Sequence, residues 1–250
     1  MTEYLVFHLY GPLASWGETA VGEFRPSSDH PSRSAVLGLV AASLGVRRED
    51  EETLRCIAQS YALAIAVVSS GTLLRDYHTA AVPPSGKGKN RRRYATRKDE
   101  LSGPRDGLAT ILSSRDYRCD AHYMVCLWPR TDDVPFSLPE IRSALASPRF
   151  VPYLGRKSCV LSLPMKPECI DAKNSGEALQ SCAGNISEFL SGLRQNQKVR
   201  VFWSAGDDTG IAAKQEVRRR DEPYTRKPWQ FMERKEEMGY LSTEDGDVSE

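Results

Sequence analysis

The chain has 250 residues, 40% of them hydrophobic and 27% charged, with a formal net charge of +1. That suffices to bury a core as one large domain or two small ones, and near-neutrality lends no support to a uniformly basic nucleic-acid binder. The longest apolar runs, Tyr61 to Val68 and Val36 to Leu44, are too short for a bilayer, and no basic segment leads into an apolar stretch at the N-terminus, so the expectation is a soluble, cytoplasmic protein.

Tyr4-Leu5-Val6-Phe7-His8-Leu9 is rich in β-formers and ends at Gly11-Pro12, as a central strand would. A glycine-bounded loop, Gly11-Pro12-Leu13-Ala14-Ser15-Trp16-Gly17, follows; the small residues Gly11, Ala14, Ser15 and Gly17 would let a ligand's backbone come close. His30-Pro31-Ser32-Arg33-Ser34 then leads into a helix. Ser32 or Ser34 caps it, Val36, Leu37, Val40 and Leu44 form its apolar stripe, and Gly45 terminates it. Free amides at a helix start attract phosphate, so loop and helix together predict a polyanion site. A second helix is expected from about Asp50 to Tyr61, and Leu63 to Val68, Ser69-Ser70-Gly71 and Thr72 to Thr79 read as a hairpin.

From Val82 to about Thr110 no hydrophobic periodicity is visible. Lys87, Lys89, Arg91, Arg92, Arg93, Arg97 and Lys98 fall in this stretch with no acid among them, which predicts a long, irregular, basic insertion. Tyr117, Cys119, Ala121, Tyr123, Val125 and Leu127 alternate with polar and other residues, the pattern of a strand with one buried face, and Pro129 ends it. A capped helix near Ser137 to Ala146 and a strand at Cys159 to Leu163 follow. The order of elements suggests an α+β, ferredoxin-like (RRM-like) sheet with an enlarged middle. Further on, Glu177 to Leu193 reads as a helix and Lys198 to Ser204 as a strand. Arg218-Arg219-Arg220 and Tyr224 to Trp229 form a second basic and aromatic patch, and Glu244 to Glu250 is an acidic, frayed end.

Arg25, Arg33, Arg75, Arg156 and Lys157 lie beside Gly, Pro, Ser or aromatic residues, as phosphate-reaching side chains do, although each would also serve as solvated surface charge. Tyr10, Trp16, Tyr77, Tyr94, Tyr117 and Tyr153 are the rings best placed to stack on unpaired bases. Tyr10 and Tyr117 suit the core equally well, whereas Trp16 and Tyr153 are expected near the surface. His30, His78, Tyr10 and Lys157 offer the acid and base of a metal-independent ribonuclease, against a structural role for each histidine. No metal-ligand cluster, Ser-His-Asp arrangement or GxxxxGK[ST] loop is present, and the six cysteines show no CxxC pair, so no cofactor or metal is expected.

The run Tyr4 to Gly45, with Leu9 to Gly17, Arg25-Pro26-Ser27 and His30 to Ser34, resembles the CasD family, a subunit family of the type I-E CRISPR complex Cascade. Leu74 to Thr79, Tyr117 to Val125 and Phe150 to Cys159 agree in the same order, so the resemblance covers roughly the first two-thirds of the chain. It implies a RAMP-superfamily domain, here 1–165, whose thumb insertion at about 82–112 clamps the crRNA, a smaller β-rich unit at 166–242, and a tail at 243–250. It further implies a non-catalytic subunit that caps the crRNA 5′ handle beside Cascade backbone subunits and the large PAM-reading subunit, reaching target DNA near its PAM-proximal end mostly indirectly. The handle site so implied comprises Tyr10, Gly11, Ala14, Ser15, Trp16, Gly17, Arg25, Ser27, His30, Ser32, Arg33, Ser34, Arg75, Tyr77, Tyr153, Arg156 and Lys157. The thumb adds Lys87, Lys89, Arg91, Arg92, Arg93, Tyr94, Arg97 and Lys98.

Overall fold

A computed structural model describes residues 1–83, 94–102, 108–183, 198–226 and 229–241. In chain order the elements are β1 (Thr2–Ala14), β2 (Trp16–Gly17), β3 (Phe24–Arg25), β4 (Ser27–Ser28), α1 (Arg33–Leu44), α2 (Glu51–Ser60), β5 (Tyr61–Ser69) and β6 (Thr72–Val82). There follow α3 (Arg97–Glu100), β7 (Ala109–Pro129), α4 (Leu138–Ala146), β8 (Glu168–Ala172), α5 (Ser175–Ala183), β9 (Arg200–Ser204), β10 (Gln215–Arg226) and β11 (Trp229–Tyr240).

The strands form a mostly antiparallel sheet whose main path runs β10-β11-β9-β5-β7-β1-β8, with β3 and β6 both added to β7. Within it, β8-β1-β7-β5 is a β-α-β-β-α-β unit: α1 and α2 link β1 to β5, and α4 links β7 to β8. Strands β9 to β11 extend the same sheet beyond β5. One face packs Leu5, Phe7, Ile65, Tyr123 and Val125 against Val36, Val40, Ile57, Ile141 and Leu145 of α1, α2 and α4. The other packs Val6, Ala64, Met124 and Cys126 against Leu179 and Cys182 of α5. Strand β7 is therefore buried on both faces from Ala121 to Trp128, where alternation predicts one; Met124 and Cys126 are apolar, and α5 covers them. No helix among the described residues is long and apolar enough to cross a membrane.

The helix starts are as their caps dictate. The Ser32 side chain accepts from the Ala35 amide, Asp50 caps α2, and Ser137 with Glu140 forms a reciprocal capping box at α4.

Other expectations are corrected. Strands β5 and β6 do not pair with each other: both pair with β7, Tyr61 to Ser69 opposite 129 to 122 and Thr72 to Val82 opposite 119 to 109. The register breaks where Asp120 takes φ 56°, and beyond it β6, the first half of β7 and, at Phe24–Arg25, β3 form an arm of the same sheet. Ordered strand thus enters the stretch read as irregular, and α3 lies within it. Lys87, Lys89, Arg91, Arg92 and Arg93 lie outside the described residues, as do 184–193 of the expected Glu177 to Leu193 helix and the acidic tail. Cys159 to Leu163 is not a strand: it makes a bridge, Tyr153 to Val160, and a backbone bond from the Ser162 N–H to Tyr10 O, while the strand paired with β1 is β8, from Thr2–Ala172 to Val6–Glu168.

Candidate nucleic-acid interface

The first amide of α1 is already taken. The backbone N–H of Arg33 donates to the Asp221 carboxylate of β10 at 3.1 Å, so an internal anion holds the place read as a phosphate site. Arg33 itself is 3% exposed: it pairs with Glu222 at 3.1 Å and donates to the carbonyls of Ala58 and Tyr61. His30 is equally buried. Its Nδ1 meets Asp29 at 2.7 Å, its Nε2 meets Glu236 at 3.0 Å, Arg219 also contacts it, and its ring stacks on Phe202 with centroids 3.7 Å apart. Burial pushes the Glu236 carboxyl up, but the hydrogen bond and charge of His30 and the charges of Arg234 and Arg219 outweigh it and hold it down at about 2. Arg234 completes the network by gripping Asp221 through Nε at 2.6 Å and Nη2 at 2.9 Å. Arg33 and His30 thus tie the start of α1 to β10 and β11, and the His30 ring is enclosed between Asp29, Glu236 and Phe202 rather than open to a substrate.

The glycine loop is strand rather than loop. Strand β1 continues through Gly11, paired with Ala121, to Ala14, paired with Arg118. Trp16 and Gly17 pair with Ser28 and Ser27. Gly11 is small for an internal reason: a Cβ there would fall 2.5 Å from the Val160 carbonyl oxygen. Gly155, at φ 84°, presses on the Ser15 backbone in the same way, and the Ser15 amide donates to Leu154 O at 3.0 Å. Trp16, expected at the surface, is 3% exposed and meets Tyr123 edge-on with centroids 5.6 Å apart, leaving no free face for a base. Ala14 is buried, Ser15 Oγ donates to Asp116 O at 3.0 Å, and Ser27 Oγ accepts from the Trp16 amide at 2.9 Å. Tyr10 is buried, with its hydroxyl 3.3 Å from Asp120 Oδ1. Beside it His8 Nδ1 and His122 Nε2 lie 3.1 Å apart in stacked rings, and burial, with His8 second, lowers the His122 pKa to about 4.

The remaining cations and rings gather at the base of the arm. Strand β3 pairs in parallel with β7, Phe24 opposite Ser114 and Arg25 opposite Arg115. Arg25 is exposed and curls back to Gly22 O at 2.6 Å. Arg156 lies over the Tyr117 ring at 4.6 Å, with Nη2 3.3 Å from Arg25 O; its Nη1 is buried with no hydrogen-bond partner among the described residues. Lys157 next to it is exposed. Arg75 lies 4.8 Å over Phe24 and is held by Asp116 through Nε at 2.8 Å and Nη2 at 3.1 Å, so its charge is already matched. Tyr77 on β6, 64% exposed, presents an open ring, and Tyr94 is exposed as well. His78 is half exposed near Asp76, at 3.5 Å. Arg97 bonds Glu100 at 2.6 Å and the Ala81 carbonyl, and Lys98 is exposed. Of the residues singled out from sequence, Arg25, Tyr117, Arg156 and Lys157 form one basic and aromatic surface at the arm's base, and Tyr77 extends it along β6. Phe24 and Asp116, which orient Arg75, carry no signal in sequence because only the pairing of β3 and β6 with β7 brings them to it.

Gly17, Ser32, Ser34 and Tyr153 lie instead around a cleft of about 1270 Å³ between α1, the 150–155 turn and the β10–β11 hairpin. Arg47, Arg48, Phe150 and Val151 line it too, and none of the four stands out in the sequence as a site residue. The signal that could have found them is the Arg47-Arg48 pair shortly after the Gly45 helix stop.

Known proteins share this architecture. A family described as CRISPR-associated protein (Cas_Cas5) matches residues 4–236. The CRISPR system Cascade subunit CasD of Escherichia coli (strain K12) is 33% identical over 187 residues, 72% of this chain and 76% of that protein. A chain of a CRISPR RNA-guided surveillance complex superposes with a TM-score of 0.59 at 24% identity, covering 95% of this chain and 90% of that one. The crystal structure of a Cas protein gives 0.56 at 23% identity, with 95% and 94% covered. With a family match spanning residues 4–236 and a relative one-third identical, this chain belongs to the Cas5 family of CRISPR-associated proteins.

Proposed function

We propose that the chain is a non-catalytic subunit of a type I-E Cascade complex that holds the 5′ handle of crRNA in antiviral defence. The observation that carries this reading is the 33% identity to the Cascade subunit CasD over 72% of the chain. The strand order β8-β1-β7-β5 with its intervening helices supports a ferredoxin-like RNA-binding unit over 1–165, extended by a C-terminal unit over 166–242. RNA lies along the base of the β6–β7 arm: Arg25, Arg156 and Lys157 neutralise phosphates, and the open ring of Tyr77 stacks on splayed bases beside the Arg156–Tyr117 pair. The basic run Lys87 to Lys98 grips the start of the guide and the neighbouring backbone subunit, while another face meets the large PAM-reading subunit; target DNA is reached mostly through these partners. The assembly works in the cytoplasm.

The test is crRNA retention by the assembled complex. Replacing Arg25 and Lys157 together by alanine, both exposed, should leave the fold intact, weaken handle binding about tenfold and make the salt dependence shallower by about one for each phosphate left without its cation. Unchanged affinity and an unchanged salt slope would remove the arm base from the RNA site. Cleavage of repeat RNA by the purified chain in EDTA would instead favour a metal-independent ribonuclease.

A further inference from the structure

The cations at the base of the arm are unequally engaged. Arg75 is matched by Asp116, and Arg118 donates to the Ser28 carbonyl at 3.2 Å. Arg115 on β7 is half-buried, yet its guanidinium has neither ion pair nor hydrogen bond among the described residues. Asp76 stands opposite it in the β6–β7 register, where a cross-strand carboxylate would neutralise it, but the Asp76 carboxylate lies 3.5 Å from His78 instead. Glu23, exposed in the turn before β3, pairs with no cation among the described residues either.

Side chains alternate between the two faces of the arm, and the contacts follow that rule. Arg75, Asp116 and Phe24 meet on one face, with Phe24 opposite Ser114. Arg115 and Tyr117 take the other, and there Arg25 stands directly opposite Arg115 in the parallel pairing of β3 with β7. Arg156 joins them by covering the Tyr117 ring and reaching the Arg25 carbonyl, and its buried Nη1 is left without a partner among the described residues. Like charges directly opposite on neighbouring strands destabilise a sheet, and a buried donor without an acceptor adds to the cost. Arg25 gives Nη1 to the Gly22 and Phe24 carbonyls, which satisfy donors but bring no negative charge. An anion among the three guanidiniums relieves both penalties, and their planar forks match phosphate oxygens. Three cations on one face, with exposed Lys157 beside them, suit a strand bearing one negative charge per nucleotide better than a single small anion.

We infer that Arg115 is a further RNA-binding residue and that, with Arg25 and Arg156, it forms a three-guanidinium seat for consecutive phosphates of one RNA strand on the Tyr117 face of β7. The inference rests on the handle-binding reading and deepens it, because it adds a residue that no sequence motif marks and assigns the RNA backbone to one face of the arm.

The experiment uses the full chain assembled with the other subunits of its complex and a crRNA. Arg115→Gln removes the charge, Arg115→Lys keeps the charge but not the fork, and Arg118→Gln removes a β7 cation engaged inside the chain. The affinity for crRNA is measured across a salt series, and each variant is also melted alone. Arg115→Gln should melt no lower than the parent, since it relieves repulsion with Arg25, while binding crRNA about fivefold more weakly with a salt slope shallower by about one. Arg115→Lys should keep the parent slope with a smaller loss, and Arg118→Gln should stay within about twofold of the parent. Parent affinity and slope in Arg115→Gln overturn the inference, as does a lowered melt with crRNA binding unchanged, which makes Arg115 structural. An equal fall in Arg118→Gln also overturns it, by reducing the effect to net charge. If Arg115→Gln binds normally while the Arg25 and Lys157 double variant loses affinity, this inference alone falls; if both bind normally, the reading of the arm's base falls with it.

Discussion

His30, Arg33 and Trp16 show how neighbours decide a residue's role. Each has the chemistry an RNA site needs, and each is used internally: His30 between Asp29 and Glu236, Arg33 on Glu222 and two helix-end carbonyls, Trp16 against Tyr123. Buried charge needs paired charge, and β10 and β11 supply it from about 190 residues away in sequence, a separation no local pattern reports. Buried histidines also set a pH limit. The His122 pKa is lowered to about 4 by burial and by His8, whose own pKa burial lowers, so the unfolded chain binds protons first, from about pH 6.5 downward. Stability should therefore fall between pH 6.5 and 4 by on the order of 2–3 kcal/mol, with Glu236 adding a loss as pH drops from 4.5 towards 2. Guanidinium titrations at pH 7, 5.5 and 4 measure this, and His122→Gln should flatten the upper part of the curve. An unchanged slope in that variant would place the acid sensitivity elsewhere.

At the scale of elements, α1, α2 and α4 were legible because their caps and stops are local. Ser32, Asp50 and Ser137 fix where each begins, and Gly45, at φ 81°, where α1 ends. What holds α1 against the sheet was not legible, since Asp221 reaches its first amide from β10. Asp221→Ala leaves Arg234 short of a carboxylate and the Arg33 amide unpaired, and should cost about 3 kcal/mol in denaturant unfolding. Asp221→Asn, which keeps an acceptor, should cost less, and neither should alter crRNA affinity in the folded protein. Tighter crRNA binding by Asp221→Asn would mean that the carboxylate competes with phosphate at the helix start, contrary to the account. Strands were read less well than helices. The tight Ser69-Ser70-Gly71 turn suggested a hairpin, but β7 is long enough to receive β5 and β6 end to end, and only pairing shows that.

For the whole molecule, the order of elements pointed to an α+β sheet, but its last strand was misread: β8, not Cys159 to Leu163, is the strand that pairs with Thr2 to Val6 of β1. The candidate site was legible by segment more than by residue. Arg25-Pro26-Ser27 and Tyr153 to Lys157 both reach the surface proposed to hold RNA, but within them Ser27 is buried and Tyr153 turns to the cleft, while Arg156 meets Arg25 at the arm's base and Lys157 is exposed next to it. Gly11, read as small for ligand access, is instead a place where two backbones touch, a distinction that needs the 154–160 turn in view, whereas Gly17 is open among the described residues. Photocrosslinking in the assembled complex tests the central claim most directly, with 4-thiouridine placed in the crRNA handle and adducts mapped by mass spectrometry. The account predicts adducts on peptides carrying Tyr77, Tyr117 and Arg156-Lys157. Adducts confined to other surfaces of this chain, or to other subunits alone, would contradict it.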